Sequence, residues 1–229
     1  MNKKYFGIIP ARAGSKGIPN KNMTILGGKP LIEYTLSAAS DSKNLDRIIF
    51  TSDSPVMVKF ASSFPRIEVP FIRPAELAQD DTPQMAVVKH ACEEIGYETF
   101  DHIFLLEPTC PFRTTEDIDM AIAMHSEKCP SECVVGLSRV LQHPCEMVSL
   151  SNGIRKAVES PNHNGRQSFP EYFFISGAVY ITPKEFFMSH GKLYDNSNFV
   201  PFFTSQRSAI DIDEPFQLQI AEGLLKCTQ

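Results

Sequence analysis

Three cationic side chains, Arg12, Lys16 and Lys21, crowd one short stretch, IIPARAGSKGIPNKN at 8–22. Arginine offers a planar fork of donors and lysine a compact point charge, a pairing suited to phosphate oxygens. Gly14 and Gly17 allow backbone N–H groups to approach such oxygens, and Pro19 stiffens the loop. A solvated basic loop is the alternative. The stretch is not a P-loop, because GK[ST] is missing, and GxGxxG is absent too. Far downstream, Asp211 and Asp213 stand two apart in AIDIDEP. On an extended segment both carboxylates share one face. Two carboxylates together with phosphate oxygens suit Mg²⁺, which keeps several of its waters. Alternatively Asp213 caps the last helix, with Glu214 in its first turn and Pro215 near its start. The histidines are scattered, and none marks itself as a base. Cys129 and Cys133, with His125 one turn earlier, read as thiols on a helix end and a following strand, since zinc sites have tighter pairs and a second half.

These residues need a frame. YFGIIPA, RIIFTS, IEVPFI, HIFLLEP and ECVVGLS read as strands. KPLIEYTLSAAS, SPVMVKFASSF, PQMAVVKHACEEIG and TTEDIDMAIAMHSEK read as helices between them. The third of these ends on a glycine cap signal, and the fourth opens on threonine caps and places Ile118, Ala121 and Ile122 on one face. Such alternation implies an α/β domain of three layers with a mostly parallel sheet. Ligands in such sheets sit at the carboxyl ends of the strands. Arg12 to Asn22, Ser52-Asp53, Arg73 and Glu107 to Arg113 all follow strands. From Arg139 to Pro170 the chain turns polar, an excursion too small for its own core, expected to pack on a second subunit. YFFISGAVYITP and EPFQLQIAEGLLK restore the α/β pattern. The whole chain, 1–229, is read as one domain, with 139–170 as an excursion within it.

The chain has 229 residues and a formal net charge of −5, so it has no general attraction for nucleic acid or an anionic membrane. No apolar run approaches the roughly 20 residues that span a bilayer. The apolar run near the start is too short for a signal peptide, and a cytoplasmic protein is expected. Six cysteines in this length do not suggest a disulfide framework.

IIPARAGSKGIPNKN followed by GGKPLIEYTLSAA resembles the signature of the cytidylyltransferases that activate nine-carbon sugar acids, the CMP-N-acylneuraminate synthetases. TSD at 51–53, RPAELAQDDTP at 73–83, LLEPTCPFR at 105–113, RQSFPEYF at 166–173, SGAVYIT at 176–182 and IDIDEP at 210–215 match in the family's order. The resemblance implies a Rossmann-like nucleotidyltransferase fold and a reaction of CTP with a 2-keto-3-deoxy sugar acid, giving the CMP-sugar and pyrophosphate. It implies that Ala11, Arg12, Gly14, Ser15, Lys16 and Lys21 hold the triphosphate, with Arg12, Lys21 and Asp211 catalytic. It assigns Asn22 and Arg73 to the nucleotide and Asp211 and Asp213 to Mg²⁺, for which Mn²⁺ can substitute. Arg166 matches a position that meets the substrate carboxylate across a homodimer, and Glu107, Phe173, Phe174 and Tyr180 fall in blocks that line the sugar pocket. Ordinary core is the alternative for these aromatics. A same-fold enzyme for the eight-carbon acid KDO or another nucleotide is the nearest rival, and a non-catalytic nucleotide-binding module is the rival of a different class.

Two positions depart from the family pattern. The usual LLQPTSP has Glu107 in place of glutamine, and a common lysine after His143-Pro144 is replaced by Cys145 and Glu146. An ionised carboxylate only accepts hydrogen bonds, where an amide also donates. The expected substrate is therefore a relative of N-acetylneuraminate, of legionaminate or pseudaminate type or bearing an amino or amidino group; drift at these positions without a change of substrate is the alternative.

Overall fold

The computed structural model describes residues 3–151, 154–157 and 166–227. The first half runs β1 (Tyr5–Pro10), the hairpin β2 (Ile25–Leu26) and β3 (Lys29–Pro30), α1 (Leu31–Asp41), β4 (Arg47–Thr51), α2 (Pro55–Ala61), β5 (Ile67–Glu68) and α3 (Gln84–Ile95). Next come β6 (His102–Leu105), α4 (Thr115–Lys128), β7 (Val134–Arg139) and the hairpin β8 (Val148–Ser151) and β9 (Ile154–Ala157). The chain continues through β10 (Phe173–Pro183), α5 (Lys184–His190), β11 (Val200–Phe203) and α6 (Pro215–Lys226).

Seven strands form the main sheet in the order β11-β7-β10-β6-β1-β4-β5. Only β10 runs antiparallel to its neighbours. The mostly parallel α/β sheet expected from the alternation is present. Its central strands are apolar throughout because helices cover both faces. In β1, Tyr5 and Ile9 join Phe50 and Phe104 in one core, while Phe6 and Ile8 join Ile49 and Leu105 in the other. That period of two separates the layers. The expected strand IEVPFI shrinks to Ile67–Glu68, since Pro70 has no N–H for a ladder. Gly96 ends α3 at a φ of 86°, and Thr114 with Asp117 forms a capping box on α4.

The described part of the excursion is a hairpin with short turns on either side. It carries no helix longer than one turn among the described residues. Leu141, Val148 and Leu150 on this segment, and Phe203 on the edge strand β11, are all more than 60% exposed. No helix is long and apolar enough to cross a membrane among the described residues.

His125 and His102 are buried in a hydrogen-bonded structural cluster. The Tyr5 hydroxyl lies 2.7 Å from His125 Nδ1, and both imidazoles bond carbonyls of the α4–β7 turn, at Pro130 and Glu132. Burial, aided by His102, pushes His125 down to about 4. An unfolded histidine titrates near 6.5. Between those values the unfolded chain binds a proton that the folded chain refuses, so this site's stability is lost as pH falls from about 6.5 to 4. Urea midpoints are expected to fall over that range, and a Tyr5→Phe, His125→Leu pair to flatten the slope. An unchanged slope in the double variant contradicts the assignment. Cys129 and Cys133 are buried free thiols beside this turn.

Candidate active site

β1 continues to β4 and β5 on one side, and the chain then returns to place β6 on the other side of β1. That reversal opens a crevice at the carboxyl ends of β1 and β6. A cavity of about 570 Å³ lies there, and Arg12, Lys16, Lys21 and Arg73 line it opposite Glu107, Asp211 and Asp213. Residues nearly two hundred positions apart thus share one space.

The packing beneath explains the juxtaposition. Ile18 of the cationic loop and Ile212 between the two aspartates are buried in one small cluster with Leu26, Leu31, Phe112 and Ala221. Ile212 N–H also donates to the Thr109 carbonyl at 2.8 Å. With Ile212 anchored inward, its neighbours Asp211 and Asp213 face the cavity. Lys21 Nζ then meets Asp213 Oδ1 at 2.6 Å. Gly17 serves this closure: a Cβ there would collide with the Asp213 carbonyl oxygen. Gly14 has open space at the same position and does not line the cavity. Gly17 thus admits the Asp213 backbone while itself lining the cavity. Glu214, not Asp213, caps α6, in a box with Gln217, which leaves the Asp213 carboxylate to the cavity.

Arg73 is 4% exposed; its guanidinium donates to the Ala11 carbonyl at 2.7 Å and sits 3.5 Å from Asp53. Burial lowers its pKa, with Asp53 opposing. Asp53 also accepts from the Ala13 N–H at 2.9 Å, which ties the loop to the end of β4. Ala11 is itself buried, and its carbonyl accepts the hydrogen bond from Arg73. Asn22 donates from Nδ2 to the Arg12 carbonyl at 3.2 Å, leaving its buried Oδ1 without a partner. Ser15 lines the same wall.

At the acidic end, Glu107 accepts from Gln84 Nε2 at 2.6 Å. Ligand atoms of Glu107, Cys110 and Asp211 lie within 4.8 Å of one another. Burial raises the pKa of both Glu107 and Asp211; the charges of Asp211 and Asp213 add to the rise at Glu107, and that of Asp213 adds to it at Asp211. Asp211 Oδ1 is buried without a hydrogen-bond partner. Such an oxygen suits a cation. A bulge makes room for the cluster: β10 slips register between Ile175 and Tyr180, and a Cβ on Gly177 would strike Glu107 Oε2. Arg113, which the composition of the loop did not single out as a site residue, lies fully buried behind. It donates to the carbonyls of Glu107 and Ala178 and to Thr35 Oγ1. Its charge opposes the upward shift at Glu107 and, after that of Lys21, the shift at Asp211.

Tyr180 lies beyond Gln84 in an adjoining cavity with Tyr194, on which it stacks at 5.9 Å. Burial raises its hydroxyl pKa. Phe173 and Phe174 are not among the residues that line this cavity. That half of β10 pairs only with β7 and runs past the end of β6, where Phe173 meets Phe203 at 5.0 Å. The Arg166 side chain lies outside the described residues, and its backbone forms a short turn with Gln167 and Ser168. Glu146 sits exposed on the excursion, away from the cavity.

A cationic loop after the first strand of such a sheet, facing an acid pair, is a site of the kind α/β nucleotide-binding folds build at the carboxyl ends of their strands. The chain belongs to the cytidylyltransferase family, whose model matches residues 6–210. It is 31% identical to an N-acylneuraminate cytidylyltransferase of Escherichia coli O18:K1:H7 over 96% of this chain and 52% of that one. It is 28% identical to a CMP-N,N'-diacetyllegionaminic acid synthase of Legionella pneumophila, over 99% of this chain and 98% of the relative. The chain thus spans about half the length of the first relative and nearly all of the second. Among solved structures, CMP:2-keto-3-deoxy-manno-octonic acid synthetase complexed with CTP superposes with a TM-score of 0.71 at 14% identity, covering 99% of this chain and 100% of that one. That likeness is one of fold.

Proposed function

We propose that the protein transfers a cytidylyl group from CTP to a nine-carbon 2-keto-3-deoxy sugar acid and releases pyrophosphate. The observation that carries this reading is the pairing, within one crevice, of the Arg12–Lys16–Lys21 loop with Asp211 and Asp213. Arg12, Ser15, Lys16 and Lys21 bind the triphosphate. The unpartnered Asn22 Oδ1 is an acceptor placed for an amino group, which cytosine has and uracil lacks. Arg73 braces that wall through the Ala11 carbonyl. The sugar hydroxyl attacks the α-phosphorus, a P–O bond forms, and the bond to the β-phosphate breaks with its electron pair leaving on pyrophosphate. Lys21 neutralises charge that grows on the α-phosphate. No histidine lines the cavity among the described residues, so the hydroxyl proton is taken at the acidic end.

Asp211 and Asp213 would hold Mg²⁺, with Mn²⁺ able to substitute. When bound, such an ion supplies Lewis-acid stabilisation of the phosphate charge. The orphaned buried oxygen of Asp211 supports this. The acceptor belongs at the Glu107 end, with Tyr180 in the adjoining cavity and Arg166 on the sugar carboxylate. The exposed apolar side chains of the excursion and β11 support a homodimer built on that face. The cytoplasm is the proposed compartment.

Pyrophosphate release, measured with each nucleoside triphosphate and a mixed pool of nine-carbon acids, tests the reading. CTP is expected to exceed UTP by about tenfold or more, because an amino group lost from a buried acceptor leaves it unpaired. Equal turnover of UTP contradicts the role given to Asn22.

A further inference from the structure

The wall facing the cationic loop is built by the segment after Arg73, where Leu77, Gln79, Asp80 and Thr82 line the cavity. Asp80 Oδ1 lies 2.6 Å from Arg12 Nη1, and its Oδ2 lies 3.5 Å from Lys16 Nζ. One carboxylate therefore bridges two of the three loop cations. The hydrogen bond from Arg12 holds the Asp80 carboxyl below the usual carboxylate range, so it is charged at neutral pH. The segment is fastened mainly to itself. Gln79 Nε2 donates to the Ala75 carbonyl, the Thr82 N–H to the Gln79 carbonyl, and the Thr82 hydroxyl to the Glu76 carbonyl. The Asp80 carboxylate is thus its polar link to the phosphate loop among the side-chain bonds of the described residues.

We propose that Asp80 is an internal counter-ion that occupies the phosphate seat on Arg12 and Lys16 and must leave before an anionic ligand enters. The inference rests on the phosphate site assigned above. A guanidinium edge bonded to one oxyanion is not free for a second, and a carboxylate held a few ångströms from a phosphate repels it. Asp80 therefore competes with the triphosphate on entry and helps to expel pyrophosphate afterwards. Exposed ion pairs are individually weak, which makes the effect several-fold rather than hundredfold.

Calorimetric titration of the full chain with inorganic triphosphate and with CTP, at low salt and without acceptor, tests this. Asp80→Asn is expected to bind both about fivefold more tightly, on the scale of an exposed ion pair. The gap should narrow as salt rises. Asp80→Glu should stay near the parent, and Asp80→Ser should reproduce the gain. Unchanged or weaker binding by both neutral variants, with melting profiles intact, overturns the proposal. If the parent fails to bind CTP while inorganic triphosphate still binds Asp80→Asn more tightly, the nucleotide reading falls and the counter-ion stands. If CTP binds the parent and the neutral variants show no gain, the counter-ion falls alone.

Discussion

Asp211→Asn is expected to lower turnover by about a thousandfold, the scale on which removal of one preorganised electrostatic group acts. The same substitution is expected to raise the melting temperature. Asp211 is a carboxylate held against its own solvation: burial raises its pKa, Asp213 adds to the rise, and Oδ1 has no partner. A carboxylate whose folded pKa lies above its unfolded value weakens the fold at neutral pH, where the unfolded chain ionises freely. A neutral amide of the same shape removes that cost. Loss of activity with gain of stability is the signature of a site kept for chemistry. A merely structural aspartate would lose both. Pyrophosphate release at saturating Mg²⁺, beside a thermal melt, reads the two together. Turnover that survives in Asp211→Asn removes the residue from both the metal site and the catalytic set.

Glu107→Gln is the second large effect, and it falls on the choice of acceptor. Glu107 is fixed from one side by Gln84 at 2.6 Å and from the other by the bare backbone of Gly177. Because burial raises the Glu107 pKa, its ionised form depends on donors, so it rewards a donor on the sugar and penalises an oxygen that can only accept. The parent is expected to prefer acids that place a nitrogen donor (amide N–H, amine or amidine) toward this end beyond the single amide that N-acetylneuraminate carries. Glu107→Gln should shift that preference by at least about tenfold toward N-acetylneuraminate, since an unpaired buried polar group costs roughly 1–3 kcal/mol. The measurement is kcat/KM for paired acids competing in one reaction, with product masses read directly. A parent that already prefers N-acetylneuraminate, with no change in Glu107→Gln, contradicts a selecting role for this carboxylate.

Much of the architecture was legible from local pattern. Apolar runs such as HIFL and helices with caps such as Thr114 need only nearest neighbours to be specified, and they appear where they were expected. IEVPFI failed as a full strand because one missing N–H at Pro70 outweighs a favourable apolar content. Where Phe173 and Phe174 lie along the sheet was not legible, because strand pairing, not residue type, decides which end of β10 faces β6. Gly14 and Gly17 look alike in sequence, yet only Gly17 meets the Asp213 backbone.

By itself the sequence determined the alternation of strands and helices, the clustering of Arg12, Lys16 and Lys21 on one loop after the first strand, and the two-residue spacing of Asp211 and Asp213. These depend on residue type and short-range spacing, which the chain carries explicitly. Only the tertiary structure decided that Lys21 closes on Asp213, that Asp80 spans Arg12 and Lys16, and that Arg113 lies behind Glu107. Each of those contacts joins segments brought together by the shared core of Ile18 and Ile212 or by the return of the chain across β1. Their energies come from burial and from charges a few ångströms apart, and distance in space is not written in distance along the chain.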